Sequence, residues 1–93
     1  MTTDLSSEEA IPYFLWDQPM TVGELRRRLK GPPEERARLI GKIMREAREP
    51  DVWLFTTPQE VATNWLQLER YLGRRRDFWK FLLERWRELG LLN

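Results

Sequence analysis

Proline and glycine residues divide most of this chain into four stretches in which apolar residues recur at helical spacing. A capping box, in which a Thr side chain and a Glu side chain satisfy free backbone donors, opens the first stretch at Thr21-Val22-Gly23-Glu24 and the third at Thr57-Pro58-Gln59-Glu60. The predicted helices cover about residues 21–31, 32–50, 57–73 and 74–90. The predicted fold class is therefore all-α, a compact bundle of four helices.

The residues before the first helix are of two kinds. Residues 1–10 are polar and acidic, which predicts a flexible acidic tail, and residues 11–93 are predicted to form a single helical domain. Pro12 and Pro19 bracket the apolar run Tyr13-Phe14-Leu15-Trp16, so we expect an extended aromatic N-terminal segment that something must cover. Residues 51–56 are predicted to be a single helical turn or an extended connector.

The composition argues against most enzyme chemistry. The chain has no His and no Cys, which removes the usual proton shuttle and the usual metal ligands. The only serines, Ser6 and Ser7, lie in the predicted tail, where no catalytic geometry is held. We expect no enzyme activity, no catalytic residue, no metal and no cofactor. Without a targeting segment or a long apolar run, we also expect a cytoplasmic protein with no membrane partner.

Aromatic residues are more abundant than a core of this size requires, with five Trp, four Phe and two Tyr in 93 residues. On the fourth predicted helix the apolar residues cover an arc of about 200°, against the 100° or so of an ordinary surface helix. One packing partner does not bury such an arc, and Trp is enriched at interface hot spots. The residues predicted to bind a partner are Tyr13, Phe14, Trp16, Trp79, Phe81 and Trp86.

Gly41 lies inside the second predicted helix, where it costs about 1 kcal/mol relative to Ala. Its neighbours Leu39, Ile40 and Ile43 are apolar. We expect that a close approach of another segment requires the missing side chain.

Two arginine clusters, on the first helix and at the junction before the fourth, are candidates for contacts with phosphates or an acidic surface. Their members are Arg26, Arg27 and Arg28, and Arg74, Arg75 and Arg76. A solvated charged face is the preferred explanation of both clusters, because acidic residues lie near them in the sequence. Residues 13–93 carry a net charge of only +4, well below that of a dedicated nucleic-acid binder.

Several segments together resemble a known group of proteins. They are Pro-Tyr-Phe-Leu-Trp-Asp at 12–17, Arg-Leu-Ile-Gly-Lys-Ile-Met-Arg-Glu-Ala-Arg at 38–48, Asp-Val-Trp at 51–53 and Thr-Thr-Pro-Gln-Glu-Val at 56–61. Over about residues 11–92 the chain resembles small bacterial antitoxin-like proteins encoded beside nucleotidyltransferase-type abortive-infection toxins. The resemblance implies a protein that neutralises a partner toxin by direct binding.

Three functional hypotheses follow from the sequence. The leading one is a non-catalytic protein-binding module, with a nucleotidyltransferase-like toxin as the expected partner. The second is a small helix-turn-helix-like DNA-binding or autoregulatory protein, in which the arginine clusters contact phosphates. The third is a homo-oligomeric structural protein, in which the fourth helix packs against a second copy.

Overall fold

A computed structural model describes residues 2–92 of the chain. Its α-helices are α1 (Val22–Arg28), α2 (Pro33–Glu46), α3 (Glu49–Val52), α4 (Pro58–Thr63), α5 (Trp65–Leu68) and α6 (Arg76–Glu88). Single 3₁₀ turns cover Tyr13–Leu15, Glu69–Tyr71 and Gly73–Arg75. Over the described residues no strand forms, which confirms the all-α class. The count of four helices is not reproduced over these residues, because the third predicted helix is divided into α4 and α5, and α3 forms a separate short helix.

The helices begin where the capping residues predict. The hydroxyl oxygen of Thr21 accepts a hydrogen bond of 3.1 Å from the backbone N–H of Glu24, and Thr57 does the same for Glu60. Pro33 and Pro58 occupy first helical positions, where the missing N–H costs nothing. Local sequence therefore accounts for where α1, α2 and α4 start.

The third predicted helix breaks at Asn64, which has φ −104° and ψ 20°. The Asn64 side chain donates a hydrogen bond of 2.9 Å to the backbone carbonyl of Glu60, which also accepts one of 3.0 Å from the backbone N–H of Asn64. The chain then continues through α5 and two 3₁₀ turns to α6. Leu68 and Leu72 nevertheless face the core, as the apolar spacing predicts.

Residues 2–10 pack against the helices, and the prediction of a flexible acidic tail is wrong for them. Leu5 is buried in the core. The carbonyls of Glu8 and Ala10 accept hydrogen bonds of 2.9 and 2.8 Å from Gly23 and Val22, the first residues of α1. These backbone donors have no partner within the helix, and the N-terminal segment supplies one. Met1 lies outside the described residues.

The aromatic N-terminal segment is a 3₁₀ turn, Tyr13–Leu15, and the extended conformation expected for it is limited to Pro12. Phe14 and Leu15 are both fully buried by this turn. An extended strand would have placed consecutive side chains on opposite sides, whereas the turn directs two large apolar groups into one core.

Helix α2 lies at the centre of the core. Its apolar residues Leu39, Ile40, Ile43 and Met44 are buried, and α3, α5 and the adjacent 3₁₀ turns pack around it. The predicted close approach at Gly41 is confirmed, because a Cβ atom there would lie 2.5 Å from the Cβ of Tyr71. Across residues 2–92, no helix combines the length and apolar character needed to cross a membrane.

Candidate protein-binding surface

Helix α6 has two apolar faces that differ in their surroundings. Trp79 and Leu83 form a buried face, with Trp86 half-buried beside them. At about 100° per residue, Phe78 and Leu89 lie roughly 100° around the helix from that face, and Phe81 lies nearly opposite it. All three belong to the exposed large apolar residues of the protein. The wide arc predicted from the sequence is therefore only partly buried.

Trp79 is a core residue, and its prediction as a partner-binding residue is wrong. Its side chain is completely buried, and its indole Nε1 donates a hydrogen bond of 2.9 Å to the backbone carbonyl of Met44. The ring of Trp53 packs edge-on against it at 5.7 Å. The Trp86 ring also packs against Trp53, with 5.8 Å between the ring centres. Trp86 is therefore half-buried, and only part of its ring is exposed to a partner.

The exposed apolar face runs from Phe78 to Leu89, with a gap of about two turns after Leu82. Phe78 is 42% exposed, Phe81 61% and Leu89 59%, and Leu82 is half-buried between them. These four residues, called the α6 stripe below, follow the spacing i, i+3, i+4 and i+11. Arg75 covers one edge of the stripe, with its guanidinium carbon 5.1 Å from the centre of the Phe78 ring.

Charged residues lie within and beside the α6 stripe. Arg85 occupies the i+7 position inside it and pairs with Glu88 at 3.4 Å. Phe81, Glu84, Arg85 and Glu88 line one shallow groove on the surface. The surface therefore combines the exposed Phe81 ring with the neighbouring carboxylates of Glu84 and Glu88. This arrangement is suited to binding rather than to core packing.

The three residues predicted from the N-terminal segment have different environments. Phe14 is 1% exposed and contacts Phe55 and Tyr13 edge-on, so its prediction as a partner-binding residue is wrong. Tyr13 is half-buried, and its hydroxyl group is hydrogen-bonded to Asp51 and to the backbone N–H of Arg48. Trp16 is 60% exposed, with the Lys42 ammonium 5.9 Å from its ring. Of these three, Trp16 has a ring free to contact another molecule.

The Tyr13 hydroxyl joins the 3₁₀ turn to α3. It donates a hydrogen bond of 2.5 Å to the Asp51 carboxylate and accepts one of 2.8 Å from the backbone N–H of Arg48. Burial disfavours the phenolate, and the bond to the Asp51 carboxylate favours the protonated form, so the pKa of Tyr13 is raised. Tyr13 therefore holds the fold together at this point.

The first arginine cluster is largely committed to contacts within the protein. Arg26 donates a hydrogen bond of 3.3 Å to the carbonyl of Leu54, and Arg28 pairs with Glu24 at 2.8 Å. Within residues 2–92 the Arg27 side chain has no carboxylate or carbonyl partner. These three residues thus offer one free guanidinium rather than a cluster able to grip a phosphate.

The second cluster is divided in the same way. Arg75 donates a hydrogen bond of 2.7 Å to the carbonyl of Ala47, and Arg76 forms two bonds, of 2.8 and 2.6 Å, with Glu69. Arg74 is exposed, and its side chain has no such partner in the described part of the chain. The structure favours a structural role for Arg75 and Arg76.

A separate cavity of about 230 Å³ lies between α2 and the α4–α5 segment. Most of its lining surface is apolar, and the ion-paired side chains of Arg36 and Glu60 also contribute to it. The lining residues are Pro33, Arg36, Ala37, Ile40, Glu60, Asn64, Gln67 and Leu68. The cavity includes the break at Asn64, so a continuous third helix would not have predicted it.

Sequence reasoning missed three members of the α6 stripe, Phe78, Leu82 and Leu89, as candidate binding residues. Their spacing from Phe81 was visible, and all three belong to the wide apolar arc. Periodicity shows that an arc is too wide for one partner, but it does not show which edge packs against the core. In this protein the edge that contains Trp79 and Leu83 packs against the core.

Comparison with protein-family models, with curated proteins and with solved structures gives no match to this chain.

Proposed function

We propose that this protein is a non-catalytic binding module that recognises another protein through the α6 stripe. The observation that carries the proposal is the exposure of Phe78, Phe81 and Leu89 on a helix whose other apolar face is already buried. Removing apolar surface from water is worth roughly 25 cal/mol per Å². A row of large exposed apolar side chains is therefore a ready source of binding free energy.

The α6 stripe has the features of an interface centre. Exposed aromatic rings supply large contact areas, and binding energy commonly concentrates in a few such residues. The stripe lies on a helix anchored by Trp79 and Arg75 to the end of α2. A surface held in place before binding loses little conformational entropy when a partner docks.

The sharpest form of the proposal is an antitoxin-like protein that neutralises a nucleotidyltransferase-type toxin by direct binding. Its support is the resemblance of residues 11–92 to antitoxin-like proteins, together with a composition that lacks His and Cys. In this form the α6 stripe docks on the toxin, and Trp16 provides a second exposed aromatic contact.

The proposal is tested by copurification with the product of the neighbouring gene. We expect Phe81→Ala to weaken the complex by about tenfold or more, because a hot-spot aromatic contributes at least 1–2 kcal/mol. Lys80→Ala is the matched control, because Lys80 is the exposed neighbour on a different side of α6. Circular dichroism and thermal unfolding of both variants verify that the fold is unchanged.

If the neighbour is a toxin, coexpression gives a second measurement. The parent protein should restore growth, Phe81→Ala should restore it poorly, and Lys80→Ala should behave like the parent. Equal binding and equal rescue by Phe81→Ala and Lys80→Ala would remove the α6 stripe from the interface.

A further inference from the structure

The solvent-facing border of the α6 stripe is acidic. Asp77, Glu84 and Glu88 are spaced by seven and four residues, so they form a row beside Phe81. All three are exposed, and the side chains of Asp77 and Glu88 are 94% and 66% accessible. The basic residues Lys80 and Arg87 lie farther round the helix, behind this row.

The pairings of these carboxylates leave the border negative. Asp77 contacts Arg76 only at 3.4 Å, and Arg76 is already bound more closely by Glu69. Glu88 forms an ion pair with Arg85 at 3.4 Å. Glu84 has no ion pair in the described part of the chain. The stripe and its acidic border together thus carry three carboxylates against two cations, Arg85 within the stripe and Arg75 at the edge beside Phe78.

We propose that the α6 stripe binds an amphipathic helix of a different protein, whose apolar face is bordered by Lys or Arg side chains. The inference rests on the proposed function and names the chemistry of the partner. When two helices pack along their apolar faces, the residues that border one face lie opposite the border of the other. Cations at that position would meet Asp77, Glu84 and Glu88.

A second copy of this chain is a poorer occupant on the same argument. In a two-fold antiparallel pair of helices each border faces its own equivalent. Asp77 of one copy would then approach Glu88 of the other, and Glu84 would approach its own equivalent. Carboxylates brought together in this way repel one another, which disfavours self-association through the stripe.

Two synthetic helical peptides of about 18 residues, or five turns, provide the probe. Both carry the same Leu stripe, which Lys residues border in one and Glu residues in the other. We expect the Lys-bordered peptide to bind the full-length protein about tenfold more tightly at about 50 mM salt, with the difference shrinking at higher salt. Fluorescence anisotropy of labelled peptides measures both affinities.

Variants of the protein separate charge from apolar contact. Glu84→Lys/Glu88→Lys should reverse the preference between the two peptides, whereas Phe81→Ala should weaken both. Glu9→Lys/Glu34→Lys is the charge-matched control, because it changes the net charge equally at exposed residues outside α6. The control should keep the parent's preference.

Each contrary result has its own meaning. Equal affinity for the two peptides, with both weakened by Phe81→Ala, overturns the charge inference and leaves the binding function standing. No binding of the Lys-bordered peptide up to about 1 mM also overturns the inference. The proposed function is then tested separately by the copurification experiment. A dimer seen by sedimentation and abolished by Phe81→Ala would make a second copy the occupant and overturn the inference.

Discussion

The indole N–H of Trp79 donates a 2.9 Å hydrogen bond to the carbonyl of Met44, and both side chains are fully buried. Helix α2 ends at Glu46, and the next backbone donor that would reach Met44, the N–H of Arg48, is bound to Tyr13 instead. The carbonyls at a helix end need partners from outside the helix, and α6 supplies this one. Trp79 thus anchors α6 against α2 and leaves the α6 stripe facing solvent.

Replacing Trp79 by Phe should destabilise the protein by about 1–3 kcal/mol, because the buried Met44 carbonyl loses its donor. Urea unfolding followed by circular dichroism measures the change in the free energy of unfolding. Trp16→Phe is the control, because the Trp16 ring is 60% exposed. Equal stability of Trp79→Phe and the parent would show that another group satisfies this carbonyl.

Gly41→Ala should destabilise the fold even though Ala is the better helix former by about 1 kcal/mol. The added Cβ would lie 2.5 Å from the Cβ of Tyr71, which forces the two segments apart. Overpacking of this kind costs about 1–3 kcal/mol.

Urea unfolding of Gly41→Ala is compared with that of Ala37→Gly, one turn earlier in α2, which reports the helix-propensity contribution together with the loss of one half-buried methyl group. If Gly41→Ala unfolded at higher urea than the parent, the contact with Tyr71 would not be a close one in solution.

Tyr13→Phe removes the hydroxyl that bonds to Asp51 and to the N–H of Arg48. We expect a loss of about 1–2 kcal/mol, since one of these bonds is to a charged group. Because the pKa of Tyr13 is raised in the folded state, the unfolded state loses its proton first as pH rises. The contribution of Tyr13 is thus complete below pH 10 or so and declines above it.

Alkaline titration of tyrosine absorbance should show a residue that ionises above the usual range in the parent and is missing in Tyr13→Phe. Tyr71→Phe serves as the control for the other tyrosine. A parent in which Tyr13 ionises in the ordinary range would contradict the hydrogen bond between Tyr13 and Asp51.

Asp17 and the buried Lys42 form an ion pair that fastens the N-terminal segment to α2. The bond from Lys42 is the main reason that the pKa of Asp17 is lowered. A carboxyl group with a lowered pKa stabilises the fold above its unfolded pKa, near 4, and loses this contribution as pH falls through the folded value. Stability should therefore decline below about pH 4, and Asp17→Asn should reduce that decline.

Thermal unfolding between neutral pH and about pH 2 measures the effect. Asp77→Asn alters the net charge by the same amount at a side chain that is 94% exposed, and it controls for charge alone. If the stability of Asp17→Asn fell below about pH 4 as steeply as that of the parent, the ion pair with Lys42 would form only transiently.

Local signals in the sequence predicted much of this fold. They failed where the conformation depends on contacts between residues that are distant in the sequence. The caps at Thr21 and Thr57 and the breaks at Gly73 and Gly90 lie as expected, because each depends on a few neighbouring residues. The break at Asn64 and the docking of residues 2–10 were not predicted. The docking depends on groups brought together from separate parts of the chain, whereas the break at Asn64 lies inside a stretch whose capping and apolar spacing predicted one continuous helix.

The candidate site shows the same division. Sequence spacing alone determined that α6 carries more apolar surface than one neighbour can cover, and that the protein contains neither His nor Cys. Only the tertiary structure decided that Trp79 and Phe14 are core residues while Phe78, Phe81 and Leu89 face solvent. The physical reason is that periodicity defines positions around a helix axis, whereas the rotation of that helix depends on its packing and on the bond from Trp79 to Met44.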